Sequence, residues 1–250
     1  CDPNFHEDYD KETARAEVDH LQDQIQEWQE RLYAEGKQSL LIVFQAMDTG
    51  GKDGVIKKVF SGVNPAGVYV TSFKAPTPEE LAHDFLWRIH VHTPGKGYIG
   101  IFNRSHYEDV LIARVNQLVP DKVWQARYDH INAFERLLAD SGTRILKFYL
   151  HISKAEQKER LQARLDKPDK NWKFAIGDLP VRERWDDYMA AYEDAISRCN
   201  TDYAPWFVVP ANHKWYRDLF VTRVILDTLA EMNPQYPPPE AGLDKVVIPD

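Results

Sequence analysis

The chain has 250 residues, 43% of them hydrophobic, enough for a sizeable α/β core, and a formal net charge of −8. That acidity excludes a general nucleic-acid binder, and it requires any strongly anionic ligand to be met by locally concentrated cations. No run approaches the roughly 18 uncharged apolar residues that cross a membrane.

The opening stretch "CDPNFHEDYDKETARAEVDH" (1–20) is acidic and polar, unlike a secretory signal. Cys1 and Cys199 provide no disulfide framework, so the expected setting is a reducing cytoplasm. Residues 8–36 lack Pro and internal Gly and place Val18, Leu21, Ile25, Trp28 and Leu32 at helical spacing. This predicts a long amphipathic helix stopped by Gly36, with 1–36 an N-terminal helical extension ahead of the main domain over 37–250. Five strand-like runs follow: "SLLIVFQ" (39–45), "VYVTSF" (68–73), "GYIGIF" (97–102), "RILKFYLHI" (144–152) and "WFVVPA" (206–211). Most are near-continuous apolar runs, as parallel strands covered on both faces require. Helical patterns at 78–92 and 123–142 lie between them, so the expected fold class is α/β with a doubly wound parallel sheet. The Pro-rich tail "NPQYPPPEAGLDKVVIP" is expected to be extended.

"LLIVFQAMDTGGKDGVIKKVF" (40–60) has the order buried strand, glycines, lysine, helix that marks a phosphate-binding loop. In such a loop the unpartnered N–H groups of a helix N-terminus converge on an anion, and the helix dipole adds to the attraction. Gly50 and Gly51 let the backbone approach, Lys52 reaches the phosphates, and Gly54 keeps the first turn uncrowded. Ala46 stands where the usual GxxxxGK[ST] motif has its first glycine, and Asp53 where it has a hydroxyl. Without that hydroxyl a hard cation needs another oxygen, and Asp48 is the first choice; Asp53 is the weaker one, suited to the helix dipole.

The third strand runs into Asn103, Arg104, Ser105, Tyr107 and Glu108, which lie beside the phosphate loop if strands one and three are neighbours. Arg104 can fork onto phosphate oxygens and stabilise charge during transfer. The segment 151–174 carries Arg160 and Arg164 on one helix face, then Lys167, Lys170 and Lys173. It reads equally as a solvated charged helix, supported by the Glu156–Arg160 spacing, or as a lid closing cations over phosphate and excluding water. The histidines His83, His90, His92, His106 and His130 lack metal-ligand spacing and suit core or surface roles.

Together "AMDTGGKDG", "FNRSHYEDV", "QARLDKPDKNWKF…RERWDDYMAAYEDA" and "APWFVVPANHKWYRDL" resemble the family-2 polyphosphate kinases over about residues 18–248. The resemblance implies a thymidylate-kinase-like P-loop kinase fold, a three-layer sandwich with a five-stranded parallel sheet and a helical lid at about 153–184. It also implies Mg²⁺-dependent transfer, with Mn²⁺ an alternative, between inorganic polyphosphate and the nucleotides AMP, ADP and ATP, by a homodimer or homotetramer with no nucleic-acid or membrane partner. Carried over by position, Asp48 acts at the metal and Lys52 holds phosphate. Arg104 stabilises transferring charge, and Arg164 does so from the lid. The expected polyphosphate-binding set is Gly50, Gly51, Lys52, Asp53, Gly54, Lys57, Lys58, Lys74, Lys167, Lys170 and Lys173, with Arg88 in the same tunnel. Diphosphate-restricted members read Asp-Arg-Ser-Trp-Tyr-Asn where this chain has Asn103-Arg104-Ser105-His106-Tyr107-Glu108. This variant resembles the class accepting both AMP and ADP. It makes Asn103, Arg104, Tyr107 and Glu108 the acceptor set and Glu108 a second metal residue. The rival functions are an ATP-dependent nucleoside monophosphate kinase and a non-catalytic polyphosphate-binding protein.

Overall fold

The computed structural model describes residues 1–243 and 246–249. Helix α1 (Lys11–Glu35) starts where the Asp10 carboxylate accepts the Glu12 and Thr13 N–H groups, and it stops at Gly36, whose φ of 62° is left-handed. Asp10 as cap moves the start three residues past the expected Asp8. Strand β1 (Ser39–Gln45) is buried at every position. A glycine turn leads from it into α2 (Lys52–Val59), followed by β2 (Val68–Ser72).

The single helix expected over 78–92 is instead two short ones, α3 (Pro78–Leu81) and α4 (Trp87–His90). Thr77 and Glu80 form a reciprocal cap that starts the first turn. The Asp84 carboxylate then accepts the Leu86 N–H at 3.0 Å, a local turn that competes with continuing the helix.

Next come β3 (Ile99–Asn103), α5 (Ile112–Val115), α6 (Asp121–Asp140), β4 (Thr143–His151) and α7 (Lys154–Leu165). The chain closes with α8 (Asp178–Glu183), α9 (Trp185–Cys199), β5 (Trp206–Pro210) and α10 (Lys214–Met232). The tail is without helix or strand from Asn233 to Glu240; its continuation includes 244, 245 and 250, outside the described residues.

All strand pairs are parallel, in the order β2-β3-β1-β4-β5. Helices α1, α2 and α10 group together, as do α5, α6 and α9, and the sheet supplies the third layer. The apolar runs of β1, β3 and β4 are covered on both faces, which is why they show no polar alternation. β1 and β3 are neighbours, and the crossovers that leave them, β1 to β2 and β3 to β4, run in opposite directions. The crevice beyond the C-terminal ends of β1 and β3 is therefore open to a ligand.

Candidate active site

Register places Phe44 of β1 opposite Asn103 of β3, so the phosphate loop and the Asn103–Glu108 segment leave the sheet side by side. The loop's glycines are required by space. A Cβ on Gly50 would lie 2.5 Å from the Ala46 Cβ and 2.9 Å from the Met47 oxygen. Gly51 has φ 101°, and a Cβ there would meet the Arg217 guanidinium at 2.0 Å. Lys52 turns back to donate to the Ala46 carbonyl at 3.3 Å. Burial holds its pKa below the usual lysine value, Arg104 adds to the shift, and Asp48, Glu108 and Asp53 oppose it. A bound anion would relieve this electrostatic cost.

Arg104 occupies the left-handed region at φ 63°, while its N–H still donates to Phe44 O at 3.1 Å. The strand thus ends abruptly and the side chain turns across the loop, where Nη2 donates to Asp48 Oδ1 at 2.9 Å. Asn103 donates to Asp53 at 2.5 Å, so this amide ties β3 to the first turn of α2. Glu108 accepts from Gln45 Nε2 at 2.9 Å.

Two cavities meet at Asp48 and Arg104. The larger, about 530 Å³, is lined by the loop from Asp48 to Gly54 and by Lys74, Asn103, Arg104, Arg164 and Lys173. The smaller, about 50 Å³, adds Glu108, Leu111, Ile112, Val181, Tyr188 and Tyr192 to that shared pair. The first is a cationic trough. The second has a carboxylate at one end and aliphatic and aromatic walls.

Along the chain, residues 8–237 match the family model described as "Polyphosphate kinase 2 (PPK2)". The chain belongs to the polyphosphate kinase 2 family. It is 58% identical over 228 residues to an AMP/ADP-polyphosphate phosphotransferase of Meiothermus ruber, covering 91% of this chain and 85% of that one. To an ADP-polyphosphate phosphotransferase of Rhodopseudomonas palustris it is 46% identical, covering 90% and 81%. Among solved structures, a crystal structure of Polyphosphate Kinase 2 from Arthrobacter aurescens TC1 superposes with a TM-score of 0.95 at 45% identity, over 98% of this chain and 89% of that one.

Within this polyphosphate kinase 2 chain the fold gathers Asp48, Gly50, Gly51, Lys52, Asp53, Gly54, Lys74, Asn103, Arg104, Arg164 and Lys173 around one trough. Six expected site residues lie outside the two cavities. Tyr107 does not face an acceptor: it is fully buried, and its hydroxyl donates to Glu135 at 2.8 Å. Lys57 is exposed outside the trough, and Lys58 points towards α1, where it pairs with Asp19 at 2.6 Å. Both sit at the far end of α2 from its N-terminus at the trough. Arg88 is buried, donating to Lys74 O at 2.8 Å and lying 3.7 Å from Glu80, so it supports Lys74 from behind. Lys167 and Lys170 are exposed on the turn after α7 and do not line the trough.

Arg160 and Arg164 share α7 but act differently. Arg160 pairs with Glu156 at 2.6 Å and donates to Thr49 O, Gly50 O, Ala211 O and Asn212 O, clamping the back of the loop. Arg164 donates to Lys173 O at 2.8 Å and lies 4.0 Å from Asp178. Sequence reading missed Arg217, which donates to Gly51 O at 3.2 Å, and Gln157, which donates to Asp48 O at 3.0 Å. It also missed Asp178, whose pKa is raised by burial and then by the nearby Asp48 charge. Their partners lie far away in sequence, 166 residues for Arg217 and 109 for Gln157, so no local spacing signals them.

Proposed function

We propose that this enzyme transfers the terminal phosphoryl group of inorganic polyphosphate to AMP and to ADP, reversibly, forming ADP and ATP. As a member of its family it is a phosphotransferase that phosphorylates nucleotides from polyphosphate. The observation that carries the two-acceptor reading is the pair of cavities joined at Asp48 and Arg104, a cationic trough suited to a phosphate chain beside an acceptor pocket containing Glu108. An acceptor phosphate oxygen attacks the terminal phosphorus, the bridging P–O bond breaks, and the chain leaves one unit shorter. Lys52, Arg104 and Arg164 neutralise the charge on the equatorial and leaving oxygens, which is most of what such a transfer needs.

Mg²⁺ fits this donor set. Among the described residues no group of three His, Cys, Asp or Glu is placed to hold a metal. Asp48 and Glu108 do face one cavity, and Mg²⁺ is typically bound by one or two carboxylates with phosphate and water completing the shell. Asp48 would hold the ion on the donor side and Glu108 on the acceptor side, where it supplies charge neutralisation. The reading includes a homo-oligomer in the cytoplasm. The apolar groove of about 840 Å³ along α6, lined by Phe85, Leu86, Val123 and Leu137, supports the oligomer.

AMP is one phosphate shorter than ADP, and Glu108 bridges the gap through a cation or ordered water. Glu108→Asn should therefore depress the AMP reaction at least about tenfold more than the ADP reaction, a difference of one electrostatic contact at the reacting centre. Equal slowing of both would leave Glu108 a dipole partner only. The whole reading is tested by incubating AMP, ADP, GMP and GDP separately with polyphosphate or with ATP, with and without Mg²⁺, and quantifying all nucleotides. Polyphosphate should drive AMP to ADP and ATP. Phosphorylation of AMP from ATP alone would establish the monophosphate-kinase alternative, and binding without turnover the non-catalytic one.

A further inference from the structure

A second hollow of about 680 Å³ opens at the other end of α2, walled by α1, by Lys58 and by the start of α10. Two of its lining acids are already matched: Asp19 to Lys58 at 2.6 Å and Asp218 to Arg217 at 2.6 Å. Lys11, Arg15 and Lys214 also line it, and none of them has a carboxylate within ion-pair distance among the described residues. Three cations without a carboxylate partner therefore surround one hollow in a chain of net charge −8. Trp215, on the same wall, is packed against His213 at 5.2 Å and His6 at 5.4 Å, so the lining favours phosphate over a nucleobase.

The hollow lies beside the catalytic trough, one residue pair away. Arg217 donates to Gly51 O on the trough side and pairs with Asp218 on the other. Lys214 is held below its ordinary pKa by partial burial, then by Arg160 and Arg217, with Lys170 of the lid turn adding to the shift. Lys170 shares that turn (Pro168–Lys173) with Lys173, which lines the trough. Lys214, Arg15 and Lys11 line the hollow, while Lys173 lines the trough from the turn that also carries Lys170.

We propose that this hollow holds the distal part of a long inorganic polyphosphate whose reacting end lies in the trough. The proposal rests on the functional reading above. It assigns α1 a role in choosing the donor by length. A short chain fills the trough alone; a long one also collects several exposed, salt-screened contacts. Each such contact is worth about 2- to 5-fold in affinity.

The test is the double variant Lys11→Ala/Arg15→Ala, which lies outside the catalytic machinery. Its kcat and KM are measured for ADP phosphorylation with long-chain polyphosphate and with tripolyphosphate, at low and at high salt. The long-chain KM should rise about 5- to 20-fold at low salt and less at high salt, as expected for two screened contacts. The kcat and the tripolyphosphate KM should stay unchanged, and Lys11→Arg/Arg15→Lys should restore the long-chain value. An unchanged long-chain KM, or an equal shift for both donors, overturns the proposal. Tighter binding of single-stranded RNA than of polyphosphate, lost in the double variant, would likewise overturn it in favour of a nucleic-acid site. If the wild type turns over neither donor, the functional reading fails. Direct binding of long polyphosphate to wild type and double variant, followed by tryptophan fluorescence, then still decides the hollow: weakened binding in the variant supports it and equal binding overturns it.

Discussion

The segment Asn103–Glu108 feeds two regions with the same kinds of side chain and opposite physics. Asn103, Arg104 and Glu108 face the two cavities, while His106 and Tyr107 point into the core towards Glu135 and Lys147. In the core cluster every charge is matched. Glu135 accepts from Lys147 at 2.5 Å, from Tyr107 and from His106 at 3.1 Å, and Lys147 also donates to the Cys199 carbonyl at 2.7 Å. In the trough, Lys74 and Lys173 have no ion-pair partner among the described residues, and Lys52 is held by a carbonyl alone. A matched buried cluster has no electrostatic demand left for a ligand, whereas the trough has an excess of positive charge. Residue type alone does not distinguish them. The difference lies in which face of a short turn each side chain takes.

Breaking the core cluster should cost stability. Glu135→Gln leaves the Lys147 ammonium buried without its counter-charge and should destabilise the fold by about 3–5 kcal/mol. Glu135→Leu with Lys147→Met should recover much of that, because the desolvation cost disappears along with the pair. The pH dependence follows from Glu135. Burial raises its pKa, but Lys147 and His106 outweigh burial and the net value is lowered from 4.5. Its contribution is present above the unfolded pKa and is lost as pH falls through the folded one. Urea midpoints should therefore fall more steeply below about pH 4.5 for wild type than for Glu135→Gln.

Emptying the trough should cost turnover. Lys52→Ala and Asp48→Asn should each lose at least ~10²-fold in kcat with thermal midpoints little changed, the usual scale for one electrostatic group at such a site. Near-wild-type turnover in either would remove that residue from the mechanism. Within the segment from α7 to Lys173 the split is finer. Arg164→Ala should lower kcat about tenfold, because its contact strengthens towards the transition state. Lys170→Ala, outside the trough, should raise the polyphosphate KM about 2- to 5-fold and soften its salt dependence.

Much of this comparison was legible beforehand, for physical reasons. β1 and its glycine loop were readable because a buried parallel strand needs a continuous apolar run, and the tight turn after it has no room for a Cβ at Gly50 and Gly51. The placement of Arg104 and Glu108 at the cavities was readable because parallel strands bring their C-terminal ends to one crevice. Tyr107 was misassigned because it sits between two site residues on a 3₁₀ turn, where the strand's alternation no longer gives direction. The break at Asp84 was missed because the apolar spacing of 78–92 continues across it while the backbone turns. Lys147 carried an unread signal: a lysine inside the apolar run of β4 requires a buried partner, and Glu135 is that partner.

The division of one segment between two tasks is tested most directly by measuring kcat and thermal midpoint together for Arg104→Ala and Tyr107→Phe. Arg104→Ala should lose at least ~10²-fold in kcat while its midpoint stays close to wild type. Tyr107→Phe, which deletes one hydroxyl from the buried cluster, should lose about 1–3 kcal/mol of stability while kcat stays within about twofold. A Tyr107→Phe enzyme that keeps its midpoint but loses turnover as Arg104→Ala does would contradict the account.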